Sequence, residues 1–256
     1  FPTSTSGAFN YTNGYNQKDT LTNGVGYWLK FGGSQEIAVY GSPVTGETVA
    51  VAPGWNMIGS IGSALHVSEI VPVGTTIQSN YFGYDGVYRT TDSIMPGKGY
   101  WVKVSDAGQL QIMPNGGLRT MKNIQTKPSQ TQAVDGKLSS LLFRDRRGRN
   151  ITLYFCDFLK NCNYNLDNFE IPPVPPSDPQ LCNFDIRYSS NRYLEYLNKS
   201  GKNRTIPIMA TICPGDLPMK VSWKINESDN GIALTIGDRE VKLNGVGETV
   251  IVDLML

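Results

Sequence analysis

The sequence predicts an all-β protein built from tandem β modules followed by a β-sandwich domain. Three observations support this prediction. The chain is rich in turn formers, with 27 Gly and 15 Pro in 256 residues, while charged residues make up only 18%. That balance favours short strands and turns over helices. One stretch recurs at a fixed spacing, and eight short strand-like segments follow one another in the second half.

The charges nearly cancel, because 23 Lys and Arg residues stand against 22 Asp and Glu residues. Nucleic-acid binding depends on an excess of positive charge, so the sequence predicts no nucleic-acid partner. No run approaches the roughly 20 apolar residues that a membrane helix needs, which predicts no membrane insertion. The chain begins with Phe1, and no charged-then-apolar leader opens it, so we expect it to be processed or excised from a longer precursor.

A stretch of the chain recurs after a shift of 73 positions, since residues 9–31 align without a gap on residues 82–104. We call these the first stretch and the second stretch. Nine of the 23 aligned positions are identical, and self-similarity at a fixed spacing indicates duplicated structural units. The identical pairs are Phe9/Phe82, Tyr11/Tyr84, Tyr15/Tyr88, Asp19/Asp92, Gly24/Gly97, Gly26/Gly99, Tyr27/Tyr100, Trp28/Trp101 and Lys30/Lys103. Residues 35–39 then fall on 109–112, so we expect the repeat to continue through a second strand.

The second copy has a front half that the first copy lacks, running from residues 49–59 to an apolar-rich segment that ends at Ile77. We therefore predict a duplicated, aromatic-rich β module over residues 1–112, with the first copy truncated. Alternation in residues 27–31 and 100–104 predicts a strand in each copy, with Trp and Lys on one face and Tyr and the aliphatic residues on the other.

Residues 113–136 lose the aromatic pattern and predict a linker. Residues 137–256 predict the β-sandwich, and the Pro-rich segment 172–176 predicts extended structure at a sheet edge or between sheets. The Arg-rich run 144–149 predicts a solvated hairpin turn, with an anion site as the alternative. The predicted strands of this domain are 138–144, 150–155, 184–188, 205–212, 219–225, 231–236, 240–243 and 249–254.

The motifs Gly-Trp-Asn-Met-Ile-Gly at 54–59 and Pro-Gly-Lys-Gly-Tyr-Trp-Val-Lys at 96–103 resemble a repeated module in large secreted proteins of Bacteroidota and Ignavibacteria. The segments 169–176 and 184–190 are similar to the β domain that often precedes the sorting domain of type IX secretion cargo. The resemblance implies an extracellular or cell-surface location, neighbouring domains in the same precursor and no known catalytic residues. The sequence departs from that pattern in two ways. It lacks the sorting signal, and it has insertions around Cys162 and Cys182.

The four cysteines are Cys156, Cys162, Cys182 and Cys213. They contain no C-x-x-C pair and His66 is the single histidine, so disulfides are a better interpretation than a zinc site. Three pairings are open, and we prefer 156 with 162 and 182 with 213, because a bridge could close the short loop between the first two. Oxidised cysteines predict a secreted or cell-surface protein.

Exposed aromatic rings on a β platform suit the binding of neutral polysaccharides, because sugar rings stack on flat aromatic faces. The candidate ligand-binding residues are Tyr11, Tyr15, Tyr84, Tyr88, Trp28 and Trp101, although the strand pattern around each tryptophan is also typical of a core position. Asp19 and Asp92 predict turn caps, with a structural calcium as the alternative. We predict no other cofactor and no catalytic residues, and the single His66 gives little basis for a nucleophilic triad.

Three functions stay open at this point. The first is a non-catalytic extracellular module that binds carbohydrate or attaches to a surface glycan. The second is a structural spacer or assembly region that presents a neighbouring domain. The third is a glycoside-hydrolase fragment, which would need two carboxylates facing one cleft.

Overall fold

The computed structural model describes residues 1–38, 40–114, 138–157, 162–176, 183–197, 205–226, 229 and 231–252. The chain divides into two compact units, Phe1–Gln130 and Thr131–Leu256. The dividing point lies in the predicted linker 113–136, of which the structure describes Met113 and Pro114.

The predicted all-β class is confirmed. The described parts of the chain form several sheets, almost entirely antiparallel, without a closed barrel. Helical structure in these parts is limited to the short 3-10 turns Val67–Glu69, Leu166–Phe169 and Pro214–Asp216. Within the same residues no helix has the length and apolarity needed to cross a bilayer.

The first unit contains eleven short strands in four sheets. The strands are β1 (Ala8–Tyr11), β2 (Tyr15–Lys18), β3 (Glu47–Val51), β4 (Gly54–Ile58), β5 (Leu65–His66), β6 (Ile70–Val73), β7 (Tyr81–Tyr84), β8 (Tyr88–Thr91), β9 (Ser93–Ile94), β10 (Tyr100–Val104) and β11 (Gly108–Ile112). The largest sheet has the order β4-β10-β7-β8, a second has the order β3-β11-β6, and β1-β2 and β5-β9 are two-stranded.

The hydrophobic core of this unit is built from residues 49–112. Alternate positions of β10 and β11 supply it, and Ile58, Val102, Leu110 and Ile112 have no exposed surface. Residues 1–38 contribute a single buried hydrophobic side chain, that of Ala8. The N-terminal segment is therefore attached to the rest of its unit by strand pairing and aromatic contacts rather than by a core of its own.

Two predicted strands of the N-terminal segment differ in the structure. Residues 27–31 form only isolated bridges, Phe9 with Trp28 and Ser4 with Phe31, because just one side of this strand has a partner. The prediction that the repeat continues through a strand at 35–39 is wrong over 35–38, which have no strand assignment, and Val39 lies outside the described residues. The aligned strand β11 is held by β3 and β6, whereas residues 35–38 pair with no strand in the described part of the chain.

The second unit contains nine strands. They are β12 (Ser139–Arg144), β13 (Asn150–Cys156), β14 (Asp185–Tyr188), β15 (Leu194–Tyr196), β16 (Ile208–Thr211), β17 (Met219–Lys224), β18 (Ile232–Ile236), β19 (Arg239–Leu243) and β20 (Val246–Ile251). A five-stranded sheet has the order β15-β13-β12-β17-β20, and β14-β16 and β18-β19 are two-stranded. Each of the eight predicted segments overlaps a strand, although the segment 249–254 shares only residues 249–251 with β20. The three-residue β15 was not predicted, and it pairs in parallel with β13.

Ion pairs hold the loops of the second unit. The Arg-rich run does form the turn between β12 and β13, but Asp145 is buried and receives two hydrogen bonds from Arg149, from its backbone N–H at 2.7 Å and its Nε at 2.6 Å. Arg149 also pairs with Asp216, which is 1% exposed, at 2.7 Å. The predicted hairpin turn is present, with Arg144, Arg146 and Arg147 exposed to solvent, while Asp145 and Arg149 anchor it in the fold.

A buried arginine fixes the start of the Pro-rich segment. Arg187 on β14 donates to both carboxylate oxygens of Asp185 and, through Nη1, to the Pro172 carbonyl oxygen at 2.7 Å. The Pro-rich segment has no strand assignment, so no neighbouring strand donates a hydrogen bond to the Pro172 carbonyl. A buried acceptor needs a donor, and the Arg187 guanidinium is that donor.

Cys156 and Cys162 form a disulfide with their Cα atoms 6.1 Å apart. The first predicted pairing is thus confirmed. Cys213 is also disulfide-bonded, and its predicted partner Cys182 lies outside the described residues. The Cys156–Cys162 bridge joins the end of β13 to a loop that packs with Leu166, Phe169 and Tyr196.

Replacing Gly26 by alanine should destabilise the first unit. An added Cβ would lie 2.7 Å from the carbonyl oxygen of Ile58, and such overpacking costs about 1–3 kcal/mol. Urea unfolding followed by tryptophan fluorescence would measure the loss. Gly33→Ala is the matched control, because nothing lies within 4 Å of its added Cβ. Equal midpoints for the two variants would contradict the close approach at Gly26.

A thiol titration in denaturant should detect no free thiol before reduction and four after it. The reason is that the described cysteines are all oxidised. Replacing Cys156 and Cys162 together by alanine should lower the free energy of unfolding by about 2 kcal/mol, as expected for so short a loop. Finding four thiols without reductant would rule out the disulfides.

Candidate functional site

The two hairpins of the first unit have the same strand register. In β1 and β2, Tyr11 pairs with Tyr15, and in β7 and β8, Tyr84 pairs with Tyr88. The other three pairs of each hairpin also coincide after a shift of 73 positions. Even the turns share a hydrogen bond, from Thr12 N–H to the Gly14 carbonyl and from Asp85 N–H to the Val87 carbonyl.

The strand that follows each hairpin pairs with it in the same way. Phe9 pairs with Trp28, and Phe82 pairs with Trp101. Two residues after each tryptophan, a backbone N–H donates to a serine hydroxyl. Lys30 N–H donates to Ser6 Oγ at 3.0 Å, and Lys103 N–H donates to Ser79 Oγ at 2.8 Å. The two acceptor serines lie outside the aligned stretches, so the correspondence extends beyond the residues that the alignment includes.

A tyrosine hydroxyl and a glycine turn complete the correspondence. Tyr27 Oη accepts from Thr22 N–H at 3.0 Å, and Tyr100 Oη accepts from Met95 N–H at 2.8 Å. The preceding turns place Gly24 and Gly97 at φ values of 75° and 74°, a left-handed conformation that disfavours other residues. The Gly-x-Gly motif is thus explained by backbone geometry at its first glycine.

The aromatic side chains are exchanged between the two stretches. Trp101 of the second stretch packs edge-on between Tyr11 and Tyr15 of the first, at 4.9 and 6.3 Å between ring centroids. Trp28 of the first stretch packs between Tyr84 and Tyr88 of the second, at 4.7 and 6.4 Å. The contacts are reciprocal, as in an isologous interface between identical subunits. Such edge-to-face pairs contribute about 0.5–1.5 kcal/mol each beyond area burial.

β4 breaks the equivalence of the two tryptophans. It pairs with β10 along its whole length, and its Trp55 packs 5.8 Å from Phe82 and 6.4 Å from Trp101. Trp101 is consequently 2% exposed and Phe82 is 4% exposed, whereas Trp28 and Phe9 are only half-buried. The first stretch has no strand in the place that β4 occupies beside the second.

An open cleft of about 530 Å³ lies beside Trp28. Its lining includes residues 27–29 together with Met95, Lys98, Gly99 and Tyr100. Polar residues at the edge of the cleft include Asp85, Arg89, Thr90, Thr91 and Ser93. The cleft is the candidate functional site, because it combines half-buried rings with hydrogen-bonding groups.

The six predicted ligand-binding residues fall into two groups. Trp28, Tyr84 and the deeply buried Trp101 line the cleft. Tyr11, Tyr15 and Tyr88 are not among its lining residues and are half-buried against the tryptophans. The structure therefore brings three of the six to one site, and Trp101 offers almost no surface to a ligand there. Tyr27, Leu29, Met95 and Gly99 also line the cleft, and the sequence pattern did not single them out as ligand-binding residues.

The indole N–H groups of Trp28 and Trp101 are both buried, and neither has a hydrogen-bond partner among the described residues. The hydroxyl of Tyr81 on β7 is likewise buried without a hydrogen-bond partner among the described residues. Burial raises the pKa of this phenol well above its usual range. Tyr81 belongs to the hydrophobic core of the first unit and is not among the residues that line the cleft.

The acidic and imidazole candidates have local structural contacts. Asp92 accepts a hydrogen bond from the Ser93 hydroxyl at 2.9 Å, and Asp19 is exposed. His66 caps the 3-10 turn Val67–Glu69, with Nδ1 accepting from Ser68 N–H, while the Glu69 carboxylate accepts from the His66 backbone. In the described part of the chain no three His, Cys, Asp or Glu residues form a group that could hold a metal ion.

Comparison of this chain with protein-family models gives no match, and comparison with curated proteins and with solved structures gives no significant match. The resemblance to secreted modules of Bacteroidota therefore stays a prediction, and functional arguments rest on the residues of this chain.

Trp101→Ala and Trp28→Ala should have unequal effects on stability. Trp101 is enclosed by Tyr11, Tyr15 and Trp55, so its removal leaves a cavity and should cost about 3–5 kcal/mol. Trp28 lacks a counterpart of Trp55, and we expect a loss of about 2 kcal/mol. Urea unfolding of the full chain measures both losses. Equal losses would mean that β4 adds nothing to the burial of Trp101.

Proposed function

We propose that this chain is a non-catalytic structural module of a larger secreted or cell-surface protein, in which repeated units pack on each other and position neighbouring domains. The observation that supports this most directly is the reciprocal exchange of Trp28 and Trp101 between the tyrosine pairs of the opposite stretch. In this proposal the two stretches are copies of one structural unit, and their aromatic residues serve as the joint between copies.

The way the rings are used favours a structural role over ligand binding. A sugar stacks on an aromatic face that is open to water. Here the two rings within each tyrosine pair are in contact, with centroids 5.2 Å apart for Tyr11 and Tyr15 and 5.3 Å apart for Tyr84 and Tyr88. Each pair also packs against a tryptophan. Rings that contact other rings in this way contribute packing energy, and Trp101 in particular has almost no surface left for a ligand.

The extracellular part of the proposal is supported by the Cys156–Cys162 disulfide. Disulfides persist in oxidising compartments and are rare in reducing ones. The near-zero net charge is in keeping with a module that needs no electrostatic partner. The larger secreted precursor rests on the resemblance to tandem modules described above.

Carbohydrate binding is the second candidate, and the cleft is the observation that favours it. Trp28 and Tyr84 are half-buried there, next to the hydroxyl groups of Thr90, Thr91 and Ser93. A neutral sugar chain could place one ring on Trp28 and bond to these hydroxyls. A glycoside hydrolase of the two-carboxylate type finds less support, because Asp85 is the one acid among the residues that line the cleft.

Affinity electrophoresis of the full chain through gels that contain neutral polysaccharides separates the two candidates. The structural proposal predicts no retardation on any glycan and a lower unfolding midpoint for Trp28→Ala. Retardation that Trp28→Ala abolishes and that Trp223→Ala leaves intact would overturn the structural proposal in favour of carbohydrate binding. Trp223 is the matched control, because it is half-buried on β17 in the other unit.

A further inference from the structure

The strand at residues 27–31 has one paired edge and one open edge. On the paired side, Trp28 exchanges two backbone hydrogen bonds with Phe9, at 2.8 and 2.9 Å, and the Lys30 carbonyl accepts from Thr5 at 2.8 Å. The backbone N–H and C=O groups of Tyr27 and Leu29 point to the opposite side, because successive residues of a strand alternate. Within the described ranges these groups have no hydrogen-bond partner.

The equivalent edge of the second stretch is occupied. Residues shifted by 73 positions from Tyr27 and Leu29 are Tyr100 and Val102 of β10, which pair with Ile58 and Asn56 of β4. β4 in turn contacts the first stretch on its far side, where Gly26 N–H donates to the Met57 carbonyl at 3.1 Å. β4 therefore lies between β10 and the segment around Gly26.

The cleft is the counterpart of the channel that β4 fills. Two segments of its lining, residues 27–29 and residues 98–100, correspond after the same shift to residues 100–102 and 25–27. Those are the two segments that flank β4: Val25 bridges Ile58 on one side, and β10 pairs along the other. The half-exposed Phe9 and Trp28 correspond to Phe82 and Trp101, the two rings that Trp55 covers.

From this correspondence we propose that the cleft accepts a β-strand, which adds in antiparallel direction to residues 27–31. The occupant is an extended segment of the Gly-Trp-Asn-Met-Ile type, supplied by another copy of the module. Its tryptophan lies opposite Lys30 and against Phe9 and Trp28, as Trp55 lies opposite Lys103 and against Phe82 and Trp101. This inference rests on the proposed structural function and names the partner that would join one copy to the next.

Strand addition supplies affinity through main-chain hydrogen bonds and specificity through alternate side chains. Pairing of β4 with β10 directs the backbone of Asn56 towards β10, because Asn56 lies opposite Val102, while Met57 is turned to Gly26. In an incoming strand of the same sequence, the asparagine N–H would donate to the Leu29 carbonyl oxygen. Its tryptophan N–H, one residue earlier, would face away from that edge.

The test uses a fluorescent synthetic peptide with the sequence of residues 52–60 and the full chain, with binding followed by anisotropy. Amide hydrogen exchange of the chain is measured with and without peptide. We expect saturable binding, slower exchange at Leu29 and Tyr27, and at least a tenfold weaker affinity when the peptide tryptophan is replaced by alanine. Methylation of the peptide nitrogen at the asparagine should abolish binding, whereas methylation at the tryptophan nitrogen is the matched control and should preserve it.

A Leu29→Pro variant tests the edge from the protein side. Proline removes the Leu29 N–H, one of the backbone groups that the peptide would use, so binding should fall at least tenfold, and circular dichroism establishes that the variant is folded. If the variant does not fold, the pair of methylated peptides gives the same information. No binding at about millimolar peptide, or binding that leaves Leu29 exchange unchanged, overturns the inference.

The outcome is independent of the glycan experiment. If the chain neither binds the peptide nor is retarded by glycans, strand addition is wrong and the structural proposal stands. If glycans retard the chain and Trp28→Ala abolishes the retardation, the structural proposal is wrong. A glycan that displaces bound peptide would identify the cleft as a sugar site instead.

Discussion

Backbone pairing of β4 on both of its edges is the interaction on which the first unit depends. β4 completes the sheet through β10 and also holds the N-terminal segment through Val25 and Gly26. Because residues 1–38 bury only Ala8 among their hydrophobic side chains, hydrogen bonds to β4 and the exchanged tryptophans are what attach this segment. The close approach requires glycine at position 26, since an added Cβ would contact the Ile58 carbonyl.

The asymmetry of the unit has the same origin. The two hairpins agree in register, turn hydrogen bond, serine acceptor and tyrosine hydroxyl contact. What differs is a neighbouring strand: β4 lies beside β10, and the strand at 27–31 has no equivalent. That single difference accounts for the isolated bridges at Trp28, for the greater exposure of Phe9 and Trp28, and for the position of the cleft.

Period-2 alternation and turn residues predict most strands of the second unit, because side-chain burial in several of them follows the pleat. In β12, for example, Ser139, Leu141 and Phe143 are buried and alternate with more exposed residues. The three-residue β15 is too short for an alternation to show, so the sequence does not predict it. Residues 35–38 were assigned to a strand by alignment alone, and a strand needs a neighbour that the alignment cannot reveal.

The candidate site was only partly predictable for a similar reason. The sequence located the six rings, but not which of them contact each other, since Trp28 packs on tyrosines that lie about 60 positions along the chain. Nor could composition distinguish Trp28 from Trp101, whose local sequences are nearly the same. Their different exposure depends on Trp55, a residue outside the aligned stretches.

The exchange of rings also has a consequence for how such a protein changes over evolutionary time. A substitution at Trp28 alters the environment of Tyr84 and Tyr88, and a substitution at Trp101 alters that of Tyr11 and Tyr15. Compensating mutations would therefore arise in the opposite stretch. Two stretches coupled in this way would be restrained from diverging independently, so their likeness would persist in the rings and glycines at the joint while the solvent-facing positions between them would drift.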